Sequence, residues 1–244
     1  MEHRPLKRFL APTGIFVALG ACFFGSLFWA AACFPLSYDW RHTVISSLAS
    51  PRDNPHAYGI ACAGLALSGL LLIPFVFFLR EGLDPFAPRL TTWAGSLFLL
   101  GAISMTLSAL IVPGHYRILG ISRSHEHLAQ VSSVSFCLAL VLYLGAIFRL
   151  PPTRRLLRLA AGFVVILPVT ALAVSRLALV LAYAFSSGVT YQAVRNSLWS
   201  SLALWEWVGA ICIYLFLGLM TCFGMRVGRD EGELLRRAGP PGAA

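Results

Sequence analysis

The stretch AYGIACAGLALSGLLLIPFVFFL, Ala57 to Leu79, runs for 23 residues without a charged side chain. As a helix rising 1.5 Å per residue it would extend about 35 Å, enough to cross ~30 Å of hydrocarbon. Working outward, comparable apolar runs lie near 11–33, 90–112, 128–148, 159–185 and 199–224. The run at 11–33 follows MEHRPLKRF, but it is longer than the 7 to 15 apolar residues of a signal peptide and reads as a span. Six transmembrane helices are expected, forming an all-α integral membrane bundle. The whole chain agrees with that reading: 58% of its 244 residues are hydrophobic and only 12% are charged, against about 25% in soluble domains. Short connections leave residues 1–228 as a single six-helix transmembrane domain. Residues 229–244, ending RRAGPPGAA, are expected to form a disordered cytoplasmic tail.

The net charge of +9 is explained by topology before any nucleic acid is invoked, and no nucleic-acid partner is expected. Placing the N-terminus inside puts 13 of the 19 basic residues on the cytoplasmic side, as the positive-inside bias requires. Both termini are then cytoplasmic, and the expected location is the inner or plasma membrane of the cell. The six cysteines all sit in or beside apolar runs with no C-x-x-C spacing, so no disulfide framework is expected.

Under this topology five of the six histidines, His42, His56, His115, His125 and His127, fall at the outer ends of the spans. The first outer connection, YDWRHTVISSLASPRDNPH, adds Asp39, Arg41 and Ser46. A polar pocket on the outer side is therefore expected. His42, His56, His115, His127, Asp39 and Ser46 are its candidate catalytic groups, a histidine serving as base near neutral pH and Ser46 as a possible nucleophile. Arg41, Arg176 and Glu206 are candidate substrate-binding residues, guanidinium suiting a phosphate or carboxylate. Arg176 and Glu206 lie inside spans at matched depth and are expected to pair or to share a polar ligand. Trp40, Trp199, Trp205 and Trp207 fit an interfacial aromatic belt.

Two polar stripes run toward the same side. Ser104, Ser108 and His115 share one face of the third span, and His127, Gln130, Val134 and Cys137 form a weaker stripe on the fourth. HEH, His125 to His127, invites a metal reading. Residues i and i+2 of a helix point about 200° apart, so both cannot face one ion. A site would draw on His42, His115 and His127 from separate connections, and zinc is the candidate cofactor. Which of His125 and His127 is the functional one stays open.

The arrangement DWRHTVISSLASPRDNPHAYGIACAGLALSGLLL, with Asp39, Ile45, Ser46, Ser47, Pro51, Pro55 and Gly59, resembles the first outer connection and second helix of the Frag1/DRAM/Sfk1 superfamily, in its bacterial branch. The histidine opening the fourth helix, in SHEHLAQVSSVSF, is a second point of resemblance. The resemblance implies six spans and an association with membrane lipid. RHTVISSLA is also similar to a segment of the alkaline ceramidases, zinc-dependent membrane hydrolases, although the chain has no H-x-x-x-H pair.

The expected function is that of a multi-pass membrane protein whose outward-facing polar pocket binds a lipid headgroup or lipid-linked substrate. An enzymatic version of this reading is a lipid hydrolase or transferase. Two alternatives are a transporter or channel gated by the Arg176 and Glu206 pair, and a non-catalytic regulator contacting another membrane protein or a second copy of itself.

Overall fold

The computed structural model describes residues 4–111, 124–185 and 188–237. Among them every regular element is helical, and six helices are long and apolar enough to cross a membrane. In chain order the helices are α1 (Arg4–Gly20), α2 (Ser26–Ala32), α3 (Ile45–Leu48), α4 (Tyr58–Leu83), α5 (Pro88–Leu110), α6 (Ser124–Phe148), α7 (Arg155–Phe185), α8 (Gly188–Arg195) and α9 (Leu202–Arg237). The first span is α1 and α2 joined by a π-helical turn over Ala21–Gly25. The last helix continues to Arg237, past Gly228, so residues 229–237 are helical where the sequence suggested a disordered tail.

The spans form a ring. Each of α4, α5, α6 and α7 packs on the next, α7 packs on α9, and α9 returns to α1, which with α2 rests on α4. Successive short connections make neighbours antiparallel, as in an up-and-down bundle. Lipid tails are as apolar as leucine, so hydrophobicity alone does not bring membrane helices together, and close approach of small residues does. At Gly64 of α4 a Cβ would lie 2.6 Å from the carbonyl oxygen of Cys22, and at Gly69 it would lie 2.8 Å from that of Ala102. These two glycines bring α4 against the first span and against α5. Phe98, Phe136, Tyr143 and Phe216 fill the centre in edge and tilted ring contacts.

The helices are unequally embedded. Half of the most apolar window of α6 is buried, against 11% in α7. Leu159, Phe163, Ile166, Val174 and Leu181 of α7 face outward, as a lipid-facing flank requires.

The connection between α2 and α4 is ordered and folds back onto the bundle. Ile45, Leu48 and Ala49 are buried with Leu27, Ala30, Ala57 and Ala61 in a second apolar cluster. Asn54, fully buried, holds it: its Nδ2 donates to the Ala30 carbonyl at 2.9 Å and to the Leu48 carbonyl at 3.3 Å. The Tyr38 hydroxyl donates to the Thr43 carbonyl at 2.7 Å and accepts from Trp207 Nε1 at 3.3 Å. Burial pushes the Tyr38 phenol up from its ordinary 10.0 to about 12.

Candidate functional site

A cavity of about 310 Å³ lies inside the ring, with walls drawn from all six spans and from α3. Its depth is mostly apolar: Leu19, Leu72, Leu140, Val165, Pro168 and Ile213 line it, with Tyr214 the one tyrosine among them. Its polar groups gather at the end where α5 stops and α6 and α9 begin: Ser46, Ser108, His125, Ser132, Ser133 and Glu206. Between His125 and Leu140 α6 rises about 22 Å, so the lining reaches from one membrane boundary well into the hydrocarbon zone. The chamber is amphipathic along its axis.

Most of the polar groups at the mouth are already committed. Ser108 donates to the Met105 carbonyl at 2.9 Å, Ser132 to the Gly101 carbonyl at 2.9 Å and Ser133 to the Ala129 carbonyl at 2.9 Å. Such bonds, within a helix for Ser108 and Ser133 and across to α5 for Ser132, are how hydroxyls are satisfied in apolar surroundings. His125 differs. Its Nδ1 lies 2.7 Å from the Ser108 carbonyl and 3.1 Å from that of Ile111. Carbonyl oxygens only accept, so Nδ1 carries a proton, and in the neutral ring Nε2 is left with a lone pair. Nε2 is buried and has no hydrogen-bond partner. The Ser46 hydroxyl, from α3, likewise lines the cavity.

Glu206 has a local task. One carboxylate oxygen accepts from the Ile45 backbone N–H at 2.6 Å, across 161 residues of sequence. Ile45 opens α3, whose own N-cap residue Val44 makes no side-chain cap, so Glu206 satisfies an orphan helix-end donor from another span. This bond latches α3 over the cavity mouth.

Arg176 and Glu206 do not pair. Arg176 Nη1 reaches the Ser200 carbonyl at 3.5 Å, and no ion pair joins it to Glu206 among the described residues. Matched depth put them at one level, but helix rotation turned Glu206 to the cavity and Arg176 to the turn that carries Trp199 and Ser200. Ser175 beside it bonds the Trp199 carbonyl, which also accepts from Trp205 Nε1 at 2.7 Å. Trp205 is therefore buried on the cavity wall rather than in an interfacial belt, whereas Trp40 and Trp199 are exposed.

The remaining candidates scatter. His127 is exposed and His125 buried, the outcome demanded by their 200° separation on α6. The inward stripe of α6 is therefore His125, Ala129, Ser132 and Phe136, while His127, Gln130 and Val134 face outward and Cys137 alone of the expected stripe lines the cavity. Asp39, Arg41, His42 and His56 are exposed. Asp39 accepts from the Arg41 backbone N–H at 2.9 Å in a local turn. His42 borders a separate surface hollow with Arg195, Asn196, Ser197 and Ser201. His115 lies outside the described residues. No three His, Cys, Asp or Glu side chains gather as a metal site would need among the described residues. All six cysteines are free. Comparison with family models, with characterised proteins and with solved structures finds no match to the chain.

Proposed function

We propose that the protein binds a single-chain amphiphile from the bilayer, with the chain in the central cavity and a hydrogen-bonding head at His125, Ser46 and Glu206. The observation that carries this reading is the chamber itself, mostly apolar along its depth and lined at its polar end by a buried histidine whose Nε2 has no hydrogen-bond partner. Ligand sites are mostly apolar with a few placed polar groups, and occupy roughly 300–1,000 Å³. At the low end of that range the cavity suits one hydrocarbon chain and excludes a two-tailed phospholipid. A head that donates a hydrogen bond, such as a hydroxyl or a protonated acid, matches Nε2. The lightly embedded α7 offers a lateral route from the hydrocarbon.

In this reading both termini are cytoplasmic, following the excess of Arg and Lys at the end opposite the cavity mouth, and the cell membrane is the site of action. The lipid association implied by the Frag1/DRAM/Sfk1 resemblance supports the same ligand class. A chemical step on the head would draw on His125 as base and on the Ser46 hydroxyl, which lines the same cavity.

The test is binding of a fluorescent single-chain fatty acid to the purified protein in detergent, with a diacyl phospholipid of the same chain length as comparison. Saturable binding of the first alone is expected. His125→Phe keeps a ring but removes the acceptor, and a lost hydrogen bond of about 1 kcal/mol weakens binding about fivefold. Equal binding of both lipids, or no saturable binding, would remove the proposal.

A further inference from the structure

At the opposite end of the bundle, one side chain stands out chemically. Arg158 sits one turn into α7, and both its Nε and its Nη2 are buried without a hydrogen-bond partner. No carboxylate pairs with it among the described residues. These two nitrogens form one edge of the planar guanidinium, the edge that meets two oxygens side by side. Burying a guanidinium with that edge unsatisfied is costly, and buried charges are normally paired.

The surroundings are basic. Arg155, the first residue of α7, precedes Arg158 by three residues and neighbours it on the helix surface, and Arg154 lies in the 3-10 turn just before it. The Arg154 guanidinium lies 5.2 Å from the centre of the Phe223 ring on α9, so this turn borders α9. Leu157 and Ala161, within one turn of Arg158, pack into the core. Arg149, exposed at the end of α6, adds a further cation. Arg158 lies about 4.5 Å inside the start of α7, at headgroup depth for a span of this length.

We infer that Arg158 is the centre of a phosphate-binding site at the α6–α7 end of the bundle, with Arg155 supplying additional positive charge. Swung out of its buried position, the Nε and Nη2 edge takes two phosphate oxygens, an arrangement that lysine cannot reproduce. Basic pockets at the ends of transmembrane helices receive anionic lipid headgroups in this way. A soluble phosphate compound carries the same chemistry. The site is independent of the cavity, and its failure would leave the amphiphile reading untouched.

The experiment is native mass spectrometry of the full chain in nonionic detergent, titrated with phosphatidylglycerol, with diacylglycerol as the phosphate-free comparison and inorganic phosphate as competitor. Preferential retention of phosphatidylglycerol is expected. Arg158→Gln should weaken it about tenfold, the loss of a charge-assisted contact, and exposed Arg149→Gln much less. Arg158→Lys keeps the charge but loses the fork, so it should also lose most of the preference, and it carries the test if the glutamine variant does not fold. Competition by inorganic phosphate would assign the site to a soluble phosphate, and its absence to a lipid headgroup. Equal retention by the wild type and both Arg158 variants, or equal retention of diacylglycerol, would overturn the inference.

Discussion

Replacing Asn54 with alanine probes the folding of the segment over the cavity mouth. Asn54 is fully buried, and its amide nitrogen serves two carbonyls, Ala30 at the end of α2 and Leu48 at the end of α3. Neither has an obvious substitute. The Phe34 N–H, which would have closed the last turn on Ala30, bonds Ala31 instead at 3.2 Å. Alanine therefore strands two buried acceptors, each costing about 1–3 kcal/mol. Partial relaxation toward water at the bundle end trims the upper bound, and a loss of about 2–4 kcal/mol is expected. Asn54→Asp should be at least as damaging, because it sets acceptor against acceptor. The assay is reversible unfolding in mixed micelles, read beside the exposed control Arg52→Ala, which should change stability by less than about 0.5 kcal/mol. An Asn54→Ala protein as stable as that control would refute the claim that this connection is locked by side-chain hydrogen bonds.

Three further outcomes follow from other contacts. Glu206→Ala should raise hydrogen exchange at the Ile45 amide about tenfold or more, since a bond of about 1.5 kcal/mol or better is lost, while Glu206→Gln retains an acceptor and most of the protection. Tyr38 titrates near 12 when folded and near its ordinary 10.0 when unfolded, so its contribution is intact below pH 10 and is lost as pH rises toward 12. Stability of Tyr38→Phe measured across that window should lack this decline. Gly69→Ala pushes a methyl toward the Ala102 carbonyl and should cost about 1–3 kcal/mol in the same unfolding assay, whereas Gly14→Ala, with open space around it, should not.

The bundle was legible because a bilayer demands uninterrupted apolar helices, and runs such as Ala57–Leu79 have no other reading. Glu206 was legible for a related reason: a carboxylate inside a span needs a partner, and it has one. That the partner is the Ile45 amide was not legible, because depth follows from counting residues whereas helix rotation depends on how neighbouring spans pack. The same limit explains Arg176, which faces the Trp199 turn. On α6 the angular rule separated His125 from His127 but could not choose between them. The serine spacing held the missing signal, since Ser132 follows His125 by seven residues and shares its face. The outer histidines misled because clustering in sequence near a membrane boundary says nothing about burial, and His42, His56 and His127 remain at the surface.

The central claim, that the chamber holds a single lipid chain, is tested most directly by filling it. Gly209 of α9 is among the residues lining the cavity, and a Cβ there meets no atom within 4 Å, so Gly209→Trp adds an indole at the cavity wall without a clash at the backbone. The measurement is the amount of single-chain lipid that co-purifies per protein, from solvent extraction and mass spectrometry of wild type and variant. One chain per protein in the wild type and almost none in a folded Gly209→Trp variant is the predicted result. Equal amounts in both, or none in the wild type, would contradict it.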